Sequence, residues 1–344
     1  MTRREWIAGL ALALKKHRLA KAEEFLKNAC ARGEVRAAAL YVRQGENRWA
    51  VGAGAAKPDT VFLLASITKP FTATGVMRLV DRGAVRLEDP VAKYIPEFRG
   101  GDRGKVTVRM LLTHTSGLPD MLPENEELRK RHAPLKDFVA GTCRTPLLFE
   151  PGTRVKYQSM GILLAAEIAE RVTKTPFREY LSKEVFAPLG MKRTSLGLGG
   201  RRIPDTAQCE VTGNDDWNWN SPYWRDLGAP WGGAHAPAED VGRFLEAFLK
   251  PDGRVVKPET AAAMITNQNT GLNDPWGIGF LVKPGGFGKA CSAEAFGHSG
   301  STGTISWADP KSGTSFVLLT TKPAEFSRAA VLKPVSDMVS EAAA

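Results

Sequence analysis

Near both ends of the chain the apolar positions fall in short strand-like runs; through the middle they fall at helical spacing between Pro and Gly breaks. Residues 20–32 predict a helix ending at Gly33. Ala37 to Val42 and Arg48 to Gly54 predict two strands of a hairpin around Arg43-Gln44-Gly45-Glu46-Asn47. From 84 to 270 helical patterns dominate, as in Ile162–Thr173, Pro176–Phe186 and Ala238–Leu249. The last of these follows Pro237 and opens with Glu239 and Asp240, which suit a helix N-terminus. Strand runs return at Gly277–Val282, Thr302–Asp309 and Ser315–Thr321, with Asp309-Pro310-Lys311-Ser312-Gly313 as the turn between the last two. A helix from about Ser327 to Glu341 closes the pattern. The expected fold is mixed α/β. One sheet is built from both chain ends (about 22–65 plus 275–344), and a mainly helical lobe is inserted between them (about 66–274).

One predicted helix carries chemistry. In Leu64-Ala65-Ser66-Ile67-Thr68-Lys69-Pro70-Phe71, Ser66 and Lys69 stand three apart and share a helix face. A serine hydroxyl is a poor nucleophile alone, and a neutral lysine amine beside it can take its proton. Burial among apolar neighbours lowers a lysine pKa and makes that neutral form accessible. Ile67, Phe71, Val76, Met77 and Val80 supply the apolar face, and Asp81-Arg82-Gly83 reads as the helix end. Taken by itself, the segment fits an ordinary buried helix with a serine cap equally well.

Composition narrows the field. The 344 residues are 43% hydrophobic and 24% charged, ordinary for a soluble globular protein. The net charge is +10, but the basic residues are spread out, with no long basic run and no nucleic-acid motif. The charge reads as a general surface property that favours anionic surfaces. Cys30, Cys143, Cys209 and Cys291 lie far apart, and the five histidines form no H-E-x-x-H or H-x-H spacing. Neither a disulfide framework nor a metal site is predicted, and no cofactor is expected.

At the N-terminus, Arg3-Arg4 followed by the brief apolar run Ile7 to Leu14 resembles a short twin-arginine signal, but no clear cleavage site follows. Residues 1–21 are read as an N-terminal extension or a degenerate export signal; an amphipathic helix fits the same residues. The protein is accordingly expected in the cytoplasm or, if exported, in a bacterial periplasm. No stretch is long enough to span a membrane as a helix.

Two further segments join the first. Glu150-Pro151-Gly152-Thr153-Arg154-Val155-Lys156-Tyr157-Gln158-Ser159 places a tyrosine just before an apolar helix. Gly297-His298-Ser299-Gly300-Ser301-Thr302-Gly303-Thr304 leads into a strand. With Ser66 and Lys69 they resemble the three ordered motifs of the serine β-lactamase and penicillin-binding protein superfamily, on the branch of class C β-lactamases and family VIII carboxylesterases. Leu111 to Leu118, Phe186 to Met191 and Trp231 to Ala236 match further signatures of that group. The resemblance covers roughly residues 22–340. It implies a β-lactamase/transpeptidase-like fold with an antiparallel sheet. It implies Ser66 as nucleophile, Lys69 as activating amine and Tyr157 as a phenol or phenolate that shuttles protons. The oxyanion hole would be the backbone N–H groups of Ser66 and Ser301, with Ser159, His298, Ser299, Gly300 and Trp231 lining the substrate site. Glycine at 300 is expected where substrate approaches the strand closely.

Two departures from the β-lactamase pattern bear on substrate. Ser159 stands where an asparagine contacts the β-lactam side-chain amide, and His298 where a lysine helps recognise the substrate carboxylate. Both favour cleavage of small carboxylic esters through an acyl-enzyme on Ser66. The alternatives are a β-lactamase or D-amino-acid peptidase on cell-wall-like substrates, an acyltransferase, and a non-catalytic penicillin-binding scaffold. The expected partner is a small ester or β-lactam-like molecule, not nucleic acid. A cluster of Trp217, Trp219, Tyr223, Trp224 and Trp231, amid Asn214, Asp215 and Asp216, reads either as loop packing or as an apolar wall of the substrate pocket.

Overall fold

The computed structural model describes residues 3–213 and 215–344, with side chains from His17 onward. Helix α1 (Arg3–Ala31) leads to β1 (Ala37–Gln44), β2 (Asn47–Gly54), β3 (Phe62–Leu63), a 3-10 turn at Ala65–Ile67 and α2 (Thr68–Asp81). Helices α3 (Val108–Leu112), α4 (Asn125–Lys130), α5 (Leu135–Arg144), α6 (Met160–Thr173) and α7 (Phe177–Leu181) follow. Next come β4 (Ser195–Leu196), α8 (Pro222–Leu227), β5 (Ala234–Ala236), α9 (Ala238–Leu249) and α10 (Pro258–Met264). Strands β6 (Phe296–Gly300), β7 (Thr304–Asp309) and β8 (Thr314–Thr320) precede α11 (Ala324–Ser327) and α12 (Lys333–Ala343).

The hairpin turns over Gly45 and Glu46 alone, with Gln44 opposite Asn47. Gly45, at φ 57, supplies the left-handed conformation a two-residue turn demands. β1 then pairs with β8, giving an antiparallel sheet in the order β2-β1-β8-β7-β6 that joins both chain ends. Alternation splits each strand between two cores. Leu40, Val42, Trp307, Phe316 and Leu318 pack with Leu26 of α1 and Val335 and Val339 of α12. Tyr41, Phe296, Val317 and Leu319 face the helical lobe, with Val241, Phe244 and Phe248 of α9 among their core neighbours. With both faces covered, β8 is buried along its whole length.

At the centre of the helical lobe, α2 is buried from Thr68 to Met77 and packs against α6 and α7. Its threonines fit this setting because their hydroxyls donate to carbonyls: Thr68 to Ala65, Thr72 to Pro230 and Thr74 to Pro70.

Three expectations are corrected. Gly277–Val282 is not a strand; it makes only isolated bridges, Trp276 to Leu281 and Leu281 to Gly297. Gly279 sits at φ 80 against Ala73 of α2, a conformation no strand sustains. The edge strand is instead β6, the glycine-rich segment expected only to lead into one. The closing helix is broken: a π-turn at Arg328–Leu332 separates α11 from α12. Pro334 has no N–H and crowds the carbonyl four residues back, which shifts the ladder there. Helix α1 also runs beyond the expected 20–32. The export-signal reading falls largely on residues whose side chains lie outside the described ones, as does Asn214. Among the described residues no helix is long and apolar enough to cross a membrane.

Candidate active site

The site forms where the 3-10 turn brings the start of α2 against the edge strand β6. Ala65 sits in the left-handed region at φ 48, immediately before Ser66, a strained geometry for a residue with a Cβ. β6 approaches so closely that a Cβ on Gly300 would collide with the Leu64 carbonyl and crowd Ala65. Glycine at 300 is therefore required by the chain's own backbone, where the expectation was close approach of substrate. Thr302 and Thr304 fix the contact, their hydroxyls donating to the Leu63 and Leu64 carbonyls.

Lys69, one turn after Ser66, is completely buried. Its Nζ lies 3.0 Å from Ser66 Oγ and 2.9 Å from the Trp231 carbonyl oxygen. Burial pulls its pKa from 10.5 down to about 7, with the Asp120 carboxylate acting in the opposite direction. A neutral amine that donates to Trp231 keeps its lone pair for the Ser66 proton.

The Tyr157 ring lies 4.7 Å from Lys69 Nζ, and its hydroxyl faces Ser66. Burial holds this phenol well above its ordinary pKa; the neighbouring Ser66 hydroxyl offsets this in part, and Asp120 adds to it. Tyr157 is thus a neutral phenol. The residues on either side position it. The Lys156 N–H donates to the His114 carbonyl, and the Gln158 N–H to His114 Nδ1. Gln158 in turn accepts from the Ser116 hydroxyl and donates to the Met110 carbonyl. The His114 ring packs on Tyr157 and Trp276, and burial keeps it neutral.

His298 is also buried, its pKa pulled down to about 3 by desolvation and then by Lys69. Its Nδ1 stands 2.7 Å from the Ser299 carbonyl, which can only accept, so Nδ1 carries the proton. Nε2 is left as a buried acceptor with no partner among the described residues. Histidine here supplies no positive charge at neutral pH.

Ser66, Tyr157, Ser159, Trp231, His298, Ser299, Gly300 and Ser301 all line one cleft of about 630 Å³. Ser159 borders it, but its hydroxyl is committed to Asp120, 2.6 Å away. Of the tryptophan cluster, Trp219, Trp224 and Trp231 line the cleft. Trp217 lies at a neighbouring depression, and Tyr223 stacks on His132 and donates to the Ala133 carbonyl. Those two belong to the loop-packing reading. Sequence reasoning missed Asp120, Gln158, Arg129 and Trp276. Asp120 had a signal, lying two residues beyond the Leu111–Leu118 signature; Trp276 had none, because its segment reads as a strand.

An SxxK pair of a half-buried serine and a buried lysine beside a phenol, under the edge strand of an antiparallel sheet backed by helices, is the layout of a β-lactamase or penicillin-binding protein fold. The sequence matches the Beta-lactamase family over residues 22–335, and the chain belongs to that family. It is similar to the esterase EstB of Burkholderia gladioli, 30% identical over 83% of this chain and 86% of that one. It is also similar to a putative D-alanyl-D-alanine carboxypeptidase of Salmonella agona, 26% identical over 78% of this chain and 71% of the relative. Among solved structures, the D-amino acid amidase of Ochrobactrum anthropi SV3, complexed with L-phenylalanine amide, superimposes with a TM-score of 0.75. It is 26% identical, over 94% of this chain and 98% of that one.

Proposed function

We propose that this protein is a serine hydrolase that cleaves small carboxylic esters through a covalent acyl-enzyme on Ser66. The observation that carries the reading is the buried Lys69 amine 3.0 Å from Ser66 Oγ, with a pKa near 7. Neutral Lys69 takes the Ser66 proton as Oγ adds to the ester carbonyl. The Ser66 and Ser301 N–H groups receive the oxyanion. As the tetrahedral species collapses, the proton passes from Lys69 through the Tyr157 hydroxyl to the departing alcohol. Water then enters, the same groups work in reverse, and the acid leaves.

Three features support esters over β-lactams. Where the β-lactamase pattern has a lysine, position 298 holds a buried neutral histidine. The Ser159 hydroxyl is spent on Asp120. The similarity to EstB spans most of both chains. A second reading, hydrolysis of D-amino-acid amides or peptides, is favoured by Asp120, a cleft carboxylate with no ion-pair partner among the described residues that can meet a substrate ammonium. The test is a panel of p-nitrophenyl butyrate, nitrocefin and D-alanine amide and peptide substrates, with Ser66→Ala as control. The ester is expected to give the highest kcat/KM, and Ser66→Ala to lose acylation and fluorophosphonate labelling. A nitrocefin or amide kcat/KM equal to or above that of the ester overturns the esterase reading.

A further inference from the structure

The charges around the cleft are not matched. Asp274 pairs with Lys283 at 3.0 Å, Asp120 is held by Ser159 beside Lys69 and Tyr157, and Arg328, at the cleft's edge without a carboxylate partner among the described residues, is exposed to solvent. Arg129, on α4, has no carboxylate within ion-pair distance among the described residues, although burial disfavours its charge and only Tyr223 acts to raise its pKa. Its guanidinium packs on Trp224 at 4.0 Å and Trp217 at 5.0 Å, and one N–H group donates to the Trp217 carbonyl. Nε is buried and has no partner among the described residues. One turn earlier on the same helix face stands Asn125, whose Oδ1 is also buried without a partner among the described residues. Both residues line the cleft that holds Ser66. Because the amide N and O of an asparagine interchange by rotation, Asn125 can present a donor beside the guanidinium.

A half-buried guanidinium clamped by aromatic rings, with free N–H groups and an adjacent amide, is built to take a planar anion. We propose that Arg129 and Asn125 form a carboxylate-recognition site, so that the preferred substrate is an ester bearing a second, anionic carboxylate group remote from the scissile bond. This rests on the esterase reading and names its substrate class. The net charge of +10 adds long-range attraction for such a substrate.

The test compares the p-nitrophenyl ester of monomethyl adipate, which is neutral, with the p-nitrophenyl monoester of adipic acid, which is anionic. The quantity read is the ratio of their kcat/KM values, anionic over neutral. Arg129→Gln is expected to lower that ratio tenfold or more, and Arg129→Lys to lower it less, since the charge stays but the fork is lost. Asn125→Asp, which leaves the arginine and its aromatic packing in place, is expected to lower the ratio as well. The wild-type ratio is expected to fall as salt is raised. A ratio within twofold of wild type in both Arg129→Gln and Asn125→Asp overturns the proposal while the esterase reading stands. If neither ester is turned over, the esterase reading fails, and calorimetric binding of adipate to wild type and to the two variants decides the site alone. Wild-type binding that both variants weaken supports it, and equal binding by all three overturns it.

Discussion

In the proposed mechanism Lys69 and Tyr157 divide the proton work by their environments. Lys69 is fully buried and Tyr157 half-buried beside Ser66, and desolvation acts on them in opposite senses because it disfavours whichever form is charged. For the lysine that form is the acid; for the tyrosine it is the base. At neutral pH the neutral amine is therefore accessible and the phenolate is not. With Lys69 as the proposed base, ester kcat/KM is expected to rise with pH and level off above about 7. Tyr157→Phe should lower the plateau about a hundredfold and leave the inflection in place. A pH–rate profile of the variant decides the point. Loss of the inflection assigns it to Tyr157, and near-wild-type turnover shows that another group moves the proton.

The site depends on how two elements meet. β6 and the 3-10 turn at Ala65–Ile67 approach backbone to backbone, and Gly300 is the residue that permits it. In Gly300→Ala the new methyl meets the Leu64 carbonyl, which cannot rotate away, so β6 must shift. The overpacking cost is about 1–3 kcal/mol. The larger consequence is functional, because Ser301 follows directly and its N–H would move away from Ser66. The protein is expected to remain folded while kcat falls about a hundredfold or more, the range seen when one oxyanion donor is lost. Circular dichroism with ester kinetics checks this. An unchanged kcat in the folded variant removes Ser301 from the proposed oxyanion hole.

At the scale of the molecule, the activated lysine is a stability cost carried by the core around it. The unfolded chain holds the Lys69 proton up to its ordinary 10.5, and the folded chain only to about 7. Below pH 7 both states are protonated and the penalty is fully present; as pH rises from 7 to 10.5 it is relieved. The gap corresponds to on the order of 5 kcal/mol. Replacing Lys69 by methionine removes it but strips the Trp231 carbonyl of a donor, which returns about 1–3 kcal/mol. Lys69→Met is thus expected to be inactive yet more stable, by on the order of 2 kcal/mol at pH 6. Thermal midpoints at pH 6 and pH 9 test the sign. A variant less stable than wild type at pH 6, or an advantage that grows with pH, contradicts it.

Local pattern by itself determined the hairpin around Gly45, helix α9 and the position of Ser66 one turn before Lys69. Each of these is written in neighbouring residues: a turn glycine, an apolar repeat, a spacing of three. The order of the motifs was legible too, and with it the family and the antiparallel sheet. What depends on distant segments was not legible. Gly279 turns because α2 lies against it, so an apolar run that reads as a strand is none. Asp120 reaches the site through Ser159, and Lys69 takes its second partner from Trp231, which stands 162 residues away. Arg129 shows no sequence mark that separates it from Lys130 and Arg131. Only the folded chain half-buries it beside Trp217 and Trp224 while Arg131 pairs with Asp137, because desolvation and ion pairing are properties of the assembled surroundings.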